Sequence, residues 1–304
     1  MQKKVLVLKG GFSAEREVSL VTGKNVANAL KNKGYNVVEY DLQNGFDFVE
    51  VLKKYKPDVV FNALHGNFGE DGEIQGFLDV LQIPYTHSGV KSSVLGMDKV
   101  LTKNIAIENG VKVAKSESIS VKDFKEGKYS IKMPFVVKPI CDGSSVGVFI
   151  VKNEEDKANV KYDCEDKRLM IEEFIEGREL TVSVLDGKAL GVTELVSSND
   201  FYDYNAKYTD GVTKHIFPAE MVQSDYELAK KYAEVMHRAL GCNVVSRCDF
   251  RYNEKDGLVL LEINTNPGMT ALSLVPEQAK FLDISYEDLC VRLVENAYCR
   301  KLDS

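Results

Sequence analysis

Residues 244–264 read VVSRCDFRYNEKDGLVLLEIN, two runs rich in apolar, β-branched and aromatic residues that flank the turn-forming segment EKDG. This pattern predicts an antiparallel hairpin with residues 254–257 as its turn. Asn253 then pairs with Leu258, and the register of the whole hairpin follows from that one pair. The stretch therefore predicts an antiparallel sheet in the C-terminal part of the chain.

The predicted register gathers four polar side chains on one face of this hairpin. It sets Asp249 opposite Glu262 and Arg247 opposite Asn264, and side chains two apart on a strand point the same way. Directly opposed carboxylates repel each other unless a cation lies between them, and a ligand set of oxygens favours magnesium or manganese over zinc. The residues alone indicate a divalent metal site, with a solvated acidic surface as the alternative.

The neighbouring segments also predict antiparallel strands. Residues 180–195, LTVSVLDGKALGVTEL, predict a second hairpin that turns at Asp186 and Gly187. The polar residues 197–215 form a stretch long enough to predict a functional loop. Two helix starts carry a capping box, Ser224 with Glu227 and Ser285 with Asp288.

The N-terminal part of the chain alternates between strand and helix patterns. An apolar strand at residues 3–9 is followed by two glycines and an apolar-periodic helix, and the alternation continues through two further strands. Such an order favours a parallel sheet flanked by helices, whereas the later segments predict an α+β layer. We expect an N-terminal α/β domain at residues 1–95, a central domain at 96–178 and a C-terminal domain at 179–304.

The bulk composition narrows the class of protein. With 304 residues, of which 44% are apolar, the chain is long enough for two or three globular domains around a cleft. A net charge of -7 argues against a nucleic-acid-binding surface. The six cysteines lack zinc-ligand spacing, and the sequence has neither a signal-peptide pattern nor an apolar stretch of about 20 residues. These features predict a cytoplasmic protein with reduced thiols and no membrane partner.

Two short segments suit a nucleotide, and each has an ordinary alternative. Lys138 ends an apolar strand and precedes the small-residue loop 143–147, which suits phosphate oxygens or a plain tight turn. The acidic pair Glu172 and Glu173, followed by Glu179, suits an adenine amine and ribose hydroxyls or a solvated surface. Both common phosphate-loop motifs are missing, which argues against a Rossmann dehydrogenase.

Eight segments, taken in order, resemble the D-alanine:D-alanine ligases of the ATP-grasp superfamily. They are GGFSAEREVSL (10–20), LHGNFGEDG (64–72), MDKVLTK (97–103), VVKPICDGSSVGV (136–148), EEFIEGRELTV (172–182), YDYNAKY (202–208), RCDF (247–250) and EINTNPGMTALSLVP (262–276). The resemblance spans essentially the whole chain and implies a parallel-sheet (pre-ATP-grasp) domain followed by a two-part ATP-grasp fold. It implies ATP-dependent joining of two D-alanine molecules through a D-alanyl phosphate, for peptidoglycan precursor synthesis.

The resemblance also implies how the nucleotide is bound. It implies ATP with two magnesium ions, for which manganese substitutes, and leaves a monovalent cation open. The implied metal ligands are Asp249, Glu262 and Asn264. The implied ATP contacts are Lys99, Lys138, Ser144 and Lys207 at the phosphates, Glu172, Glu173 and Ile175 at adenine, and Glu179 at ribose.

By the same resemblance, Glu15 pairs with the ammonium of the first D-alanine, and His65 lies nearby. Ser273 and the backbone of Leu274 bind the carboxylate of the second, where a following helix aims its N–H groups. A small zwitterion needs a carboxylate for its amine and cations or N–H groups for its carboxylate, so these residue types fit. His65 equally suits a structural role at a strand end.

The implied catalytic residues have two roles, closure of a loop over the site and stabilisation of an oxyanion. A hydrogen-bond network of Glu15, Ser144 and Tyr208 closes a loop over the site, although Tyr208 also suits a surface role. Arg247 and the Gly268 N–H stabilise the oxyanion of the tetrahedral intermediate.

Two further rival functions remain to be weighed against this one. A ligase that takes D-lactate or D-serine second is the nearest, and Tyr208 argues against the D-lactate version. A nucleotide-binding regulatory module without catalysis is expected to have lost a metal ligand, a phosphate lysine or Arg247, and all of them are present. The family resemblance further implies a homodimer.

Overall fold

The computed structural model describes residues 2–143, 147–197, 213–270 and 273–301. Ser144, Lys207 and Tyr208, which the resemblance places at the site, lie outside these residues.

The N-terminal part forms a three-stranded parallel sheet in the order β2-β1-β3. Its strands are β1 (Lys4–Gly10), β2 (Asn36–Leu42) and β3 (Val59–Asn62). The connections are α1 (Arg16–Asn32) and α2 (Gly45–Tyr55), which confirm the predicted alternation of strand and helix. After β3 come α3 (Glu73–Val80), α4 (Val90–Met97) and α5 (Lys99–Glu108).

The central part forms a four-stranded antiparallel sheet in the order β4-β7-β5-β6. Its strands are β4 (Ser116–Ser120), β5 (Phe135–Pro139), β6 (Phe149–Val151) and β7 (Arg168–Glu173), with the short helices α6 (Val121–Lys125) and α7 (Glu154–Ala158) between them. Phe135, Val137 and Ile171 are fully buried in the core of this layer. The loop after β5 and the segment after β7 therefore extend from a well-packed sheet.

The C-terminal part forms a five-stranded antiparallel sheet in the order β10-β9-β8-β11-β12. Its strands are β8 (Arg178–Leu185), β9 (Lys188–Ser197), β10 (Thr213–Ile216), β11 (Val245–Asn253) and β12 (Gly257–Asn264). The helices of this part are α8 (Gln223–Leu240), α9 (Leu274–Phe281) and α10 (Tyr286–Glu295). The predicted turn at Asp186 and Gly187 is confirmed, since both have positive φ and Leu185 pairs with Lys188.

The hairpin of β11 and β12 confirms the predicted register at the site but not at the turn. Asn253 pairs with Gly257 instead of Leu258, so the connecting loop is one residue shorter than expected. A bulge after Asp249 leaves Leu261 without a partner, because Phe250 pairs with Leu260. The bulge offsets the shorter loop, and Asp249 faces Glu262 as predicted.

One of the two predicted helix caps is wrong. Ser285 precedes α10 and accepts a hydrogen bond from the Asp288 N–H, as a capping residue should. Ser224, however, lies inside α8, which begins at Gln223 with Val222 as its capping residue. Helix α8 therefore begins two residues earlier than the capping pattern indicated.

The C-terminal helices pack against the N-terminal sheet. Leu289 and Leu293 of α10 share a buried core with Val5 of β1 and with Val26 and Leu30 of α1. The last and first parts of the chain are thus joined through one apolar interface. The domain boundaries near residues 95 and 178 stay a proposal. Within the described ranges, no helix combines the length and apolar character that crossing a bilayer demands.

Candidate active site

Two cavities meet where the three parts of the chain come together. Lys99, Asp142 and Glu262 line both cavities, so the cavities adjoin at these side chains. The first cavity, which we call the polar cavity, also contains Glu15, Arg247 and Ser273, among others. The second, which we call the slot, lies between the four-stranded and five-stranded sheets.

The N-terminal side of the polar cavity is a cluster of buried ionisable groups. Glu15 directly precedes α1 and is only 7% exposed. His65 lies at the end of β3, where its Nδ1 is 3.2 Å from Glu70 Oε1 and its Nε2 is 3.1 Å from Thr22 Oγ1. Burial lowers the pKa of His65, but the hydrogen bond and charge of Glu70 outweigh it and raise the pKa above its usual value.

The opposite side of the polar cavity is built by β11 and the start of α9. Arg247 donates to Asp249 from Nε at 3.0 Å and from Nη2 at 2.8 Å, which holds its guanidinium in a fixed plane. Ser273 directly precedes α9, whose first N–H groups have no partner within the helix and favour an anion. A Cβ on Gly268 would lie 3.1 Å from Ser273 Oγ, so glycine keeps this approach open.

Lys99 sits at the junction of the two cavities. It is the first residue of α5, it is buried, and its Nζ donates to the Asp142 carbonyl at 2.6 Å. Burial lowers its pKa, although the nearby Glu262 carboxylate acts in the opposite direction. An ammonium group at this position borders both cavities.

The slot has apolar walls and an acidic end. Val136, Ile150, Phe174 and Leu261 supply much of the apolar lining from both sheets. Such an apolar lining suits a ring system. Glu179 also lines the slot, and its carboxylate lies 3.1 Å from Arg251.

The inner end of the slot contains a buried charged triad. Glu172 is 3% exposed, and its two carboxylate oxygens each lie 2.5 Å from an ammonium group, of Lys103 and Lys138 respectively. Burial raises the pKa of Glu172, but the two lysines outweigh it and lower the pKa to about 2. The carboxylate is therefore ionised at neutral pH and can only accept hydrogen bonds.

The predicted metal ligands lie together on the hairpin. Asp249 faces Glu262 across the ladder, and Asn264 follows two residues later on β12. Asp249 also accepts a hydrogen bond from Thr181 Oγ1 at 2.6 Å. Two opposed carboxylates with an amide oxygen form a donor set of oxygens, which fits a magnesium ion. The described residues contain no group of three histidine, cysteine or acidic side chains that could hold a metal.

The described part of the chain gathers the predicted residues into these two cavities. The members found in the cavity linings are Glu15, His65, Lys99, Lys138, Glu172, Glu173, Ile175, Glu179, Arg247, Asp249, Glu262, Asn264, Gly268, Ser273 and Leu274. Their spatial convergence was expected, and their roles remain a proposal.

Sequence reasoning missed several residues of the site, most importantly Lys103, Glu70 and Arg251. Lys103 follows Lys99 by one helical turn on α5, so spacing on a helix face was a usable signal. Glu70 follows His65 within one loop, but no periodicity links them. Arg251 faces Glu179 across a sheet pairing that spans about 70 residues of chain, which only the folded sheet reveals.

Comparison with known proteins identifies the family. A model of the D-ala D-ala ligase C-terminus matches residues 102–295, and a model of the N-terminus matches residues 49–88. The chain belongs to the D-alanine–D-alanine ligase family. The family resemblance drawn from the eight sequence segments is thereby confirmed.

Individual relatives of the ligase family match over nearly the full length. The D-alanine–D-alanine ligase of Zymomonas mobilis is 48% identical over 311 residues, which cover 97% of this chain and 94% of that protein. The ligase of Agrobacterium fabrum is 47% identical, with 98% of each chain covered.

Solved ligase structures share the fold. The D-alanine–D-alanine ligase of Bacillus anthracis superposes with a TM-score of 0.82 at 32% identity, and 97% of each chain is covered. The same enzyme in complex with ATP gives a TM-score of 0.81 at 32% identity, again with 97% of each chain covered. The expected combination of a parallel-sheet domain with an ATP-grasp fold is confirmed.

Proposed function

We propose that this chain joins two D-alanine molecules to D-alanyl-D-alanine with ATP as the energy source. The observation that carries the proposal is that a polar cavity suited to amino acids meets a slot suited to a nucleotide at Lys99, Asp142 and Glu262. A ligase needs its carboxylate substrate next to the terminal phosphate of ATP. The product is a precursor of peptidoglycan.

ATP lies with its base in the slot and its phosphates towards the junction. Glu172 and the backbone at Glu173 and Ile175 hold the adenine, and Glu179 holds the ribose. Lys99 and Lys138 bind the phosphates, together with Lys207 and the loop that contains Ser144. The ATP complex of the Bacillus anthracis ligase, which has the same fold, supports this part of the proposal.

In the first step, the ammonium group of one D-alanine pairs with Glu15, near His65. Its carboxylate oxygen attacks the γ-phosphorus of ATP, the bond to the β-phosphate oxygen breaks, and ADP leaves. The product is D-alanyl phosphate, a mixed anhydride that water would destroy, so exclusion of water matters here. On the family resemblance, a network of Glu15 with Ser144 and Tyr208, the last two outside the described residues, closes the site.

In the second step, the carboxylate of another D-alanine binds Ser273 and the Leu274 N–H at the start of α9. Its ammonium group loses one proton to solvent, and the free amine attacks the carbonyl carbon of D-alanyl phosphate, while a second proton passes from the nitrogen to the departing phosphate. Arg247 and the Gly268 N–H stabilise the oxyanion, each donor contributing about 3 to 4 kcal/mol to transition-state binding. Phosphate then leaves, and the peptide bond remains.

Asp249, Glu262 and Asn264 would hold two magnesium ions, with manganese as a substitute. When bound, these ions neutralise the phosphate charge. The opposed pairing of Asp249 and Glu262 supports this assignment, since it places two negative charges face to face. A cytoplasmic homodimer completes the proposal, on the strength of the family resemblance.

The decisive experiment measures phosphate release from ATP with and without D-alanine, together with the mass of the product. We expect D-alanine-dependent phosphate release and a product of the mass of D-alanyl-D-alanine. ATP turnover without this product refutes the function. A competition of D-alanine with D-serine and D-lactate tests the second substrate, and preferential formation of the ester would reassign it.

A further inference from the structure

Lys103 is a buried lysine that the mechanism above does not use. It lies on α5, is 3% exposed, and donates from Nζ to Glu172 Oε2 at 2.5 Å and to the Ala114 carbonyl at 3.0 Å. A lysine is almost never buried without a specific partner. Its ammonium group therefore has two hydrogen-bond partners at the inner end of the slot.

The two lysines that pair with Glu172 line different cavities. Lys138 lines the slot itself, together with Glu172. Lys103 instead lines a separate groove between α5 and β4, and Ala114 lies in the wall between that groove and the slot. Lys138 is thus placed to turn towards a nucleotide, whereas Lys103 stays behind the wall.

The second lysine matters because Glu172 is a buried carboxylate that needs a counter-ion. If Lys138 moves to the ATP phosphates, Glu172 loses one of its two counter-ions while it remains buried. A buried carboxylate without a counter-ion takes up a proton, because burial penalises its charged form. Lys103 keeps one positive charge on Glu172 throughout.

The state of Glu172 determines which base fits the slot. As an ionised carboxylate it accepts hydrogen bonds, so it matches the 6-amino group of adenine, a donor. A 6-oxo purine presents an acceptor at the same position and is repelled. A protonated Glu172 could donate and would lose this distinction.

We propose that Lys103 is a positioning residue that keeps Glu172 as an acceptor for the purine 6-amino group and so sets the preference for ATP over 6-oxo purine triphosphates. The inference rests on the proposed function, because it assigns the base of ATP to the slot. Lys103, which lies outside the slot, thereby contributes to the preference for ATP.

The test compares Lys103→Met with the wild-type protein, with inosine triphosphate as the 6-oxo probe. We expect KM for ATP to rise roughly 10- to 100-fold, the equivalent of a lost hydrogen bond to a charged group. The preference for ATP over inosine triphosphate falls by about the same factor, while kcat at saturating ATP and KM for D-alanine change by less than about 3-fold. Lys112→Met is the matched control, since Lys112 lines the same groove but donates to the Asp256 carbonyl on the surface.

A pH series separates this role from a merely structural one. In the wild-type protein the two lysines lower the pKa of Glu172 to about 2, so the ratio of KM for inosine triphosphate to KM for ATP stays flat between about pH 8 and about pH 5. Without Lys103, the pKa of Glu172 rises, and protonation on acidification lowers this ratio as the pH falls. Lys103→Arg, which keeps the charge, restores most of the flat profile.

Unchanged KM and unchanged nucleotide preference in Lys103→Met would overturn the proposal, as would a fall in kcat alone. If that variant fails to fold, Lys103→Met combined with Glu172→Gln removes the buried charge as well, and retention of the wild-type preference by this double variant overturns the proposal. Equilibrium binding of both nucleotides needs no ligation, so the preference can be measured even if the wild-type protein makes no D-alanyl-D-alanine.

Discussion

Two opposed carboxylates lie near the junction of the cavities, where the proposed function places the charge of ATP. Asp249 and Glu262 face each other across the ladder of β11 and β12. Asp249 is held by Arg247 and Thr181, so this proposed metal ligand is positioned before any cation arrives. Preorganised ligands bind a metal with less loss of side-chain freedom.

This geometry predicts a change in metal dependence when either charge is removed. Asp249→Asn and Glu262→Gln keep the size of each side chain but remove one negative charge from the ligand set. We expect the magnesium concentration for half-maximal activity to rise at least about 10-fold in each variant. Titration of activity with magnesium at saturating ATP measures the effect.

Asp256→Asn is the control for these two variants, because it makes the same type of change in the loop of the same hairpin. Its magnesium midpoint is expected to equal that of the wild-type protein. If Asp249→Asn and Glu262→Gln also keep the wild-type midpoint, the assignment of metal ligands is wrong.

At the scale of elements, the register of β11 and β12 could be predicted at one end and not at the other. The alternation of Arg247 with Asp249 and of Glu262 with Asn264 predicted their common face. The loop length and the bulge at Leu261 could not be predicted, because packing decides both. Leu261, the extra residue of the bulge, lines the slot opposite the four-stranded sheet. Its position therefore depends on a sheet that lies outside the hairpin.

The starts of helices show the same limit of prediction from sequence, and the free energy of unfolding provides a test. Ser285 caps α10 through the Asp288 N–H, whereas Ser224 lies within α8. We expect Ser285→Ala to lower the free energy of unfolding by about 1 kcal/mol. Ser224→Ala, the matched control, is expected to change it by less than about 0.5 kcal/mol.

Urea denaturation followed by circular dichroism measures both changes. Equal losses in Ser285→Ala and Ser224→Ala would contradict the structure, because they would give the two serines the same capping role. The sequence pattern alone did predict that equality, since both segments carry serine three residues before an acidic residue.

At the scale of the whole molecule, local patterns predicted the fold class and the polar face of the hairpin, and the family resemblance supplied most of the other site residues, but neither predicted the pairs that join distant segments. Glu172 and Lys103 are 69 residues apart, and Asn266 donates to the Leu64 carbonyl across 202 residues. Periodicity describes neighbours along the chain, so it carries no information on such pairs. The charged triad behind the slot appears only when α5, β5 and β7 are brought together.

The slot lies between the two antiparallel sheets, which predicts how ATP stabilises the protein if it binds there as proposed. Its walls include Val136 and Ile150 from the four-stranded sheet and Arg251 and Leu261 from the five-stranded sheet. A ligand that contacts both sheets opposes their separation. A non-hydrolysable ATP analogue with magnesium, at 100 times its Kd, is expected to add about 2.7 kcal/mol to the free energy of unfolding.

Hydrogen exchange measured by mass spectrometry locates this effect. We expect the analogue to slow exchange in β5 and β7 and also in β11 and β12, since it bridges the two sheets. Helix α2 is the internal control, because it packs on the outer strand of the N-terminal sheet, away from the slot. Protection confined to one sheet would show that the nucleotide does not bind between them, and the slot would then lose its assignment.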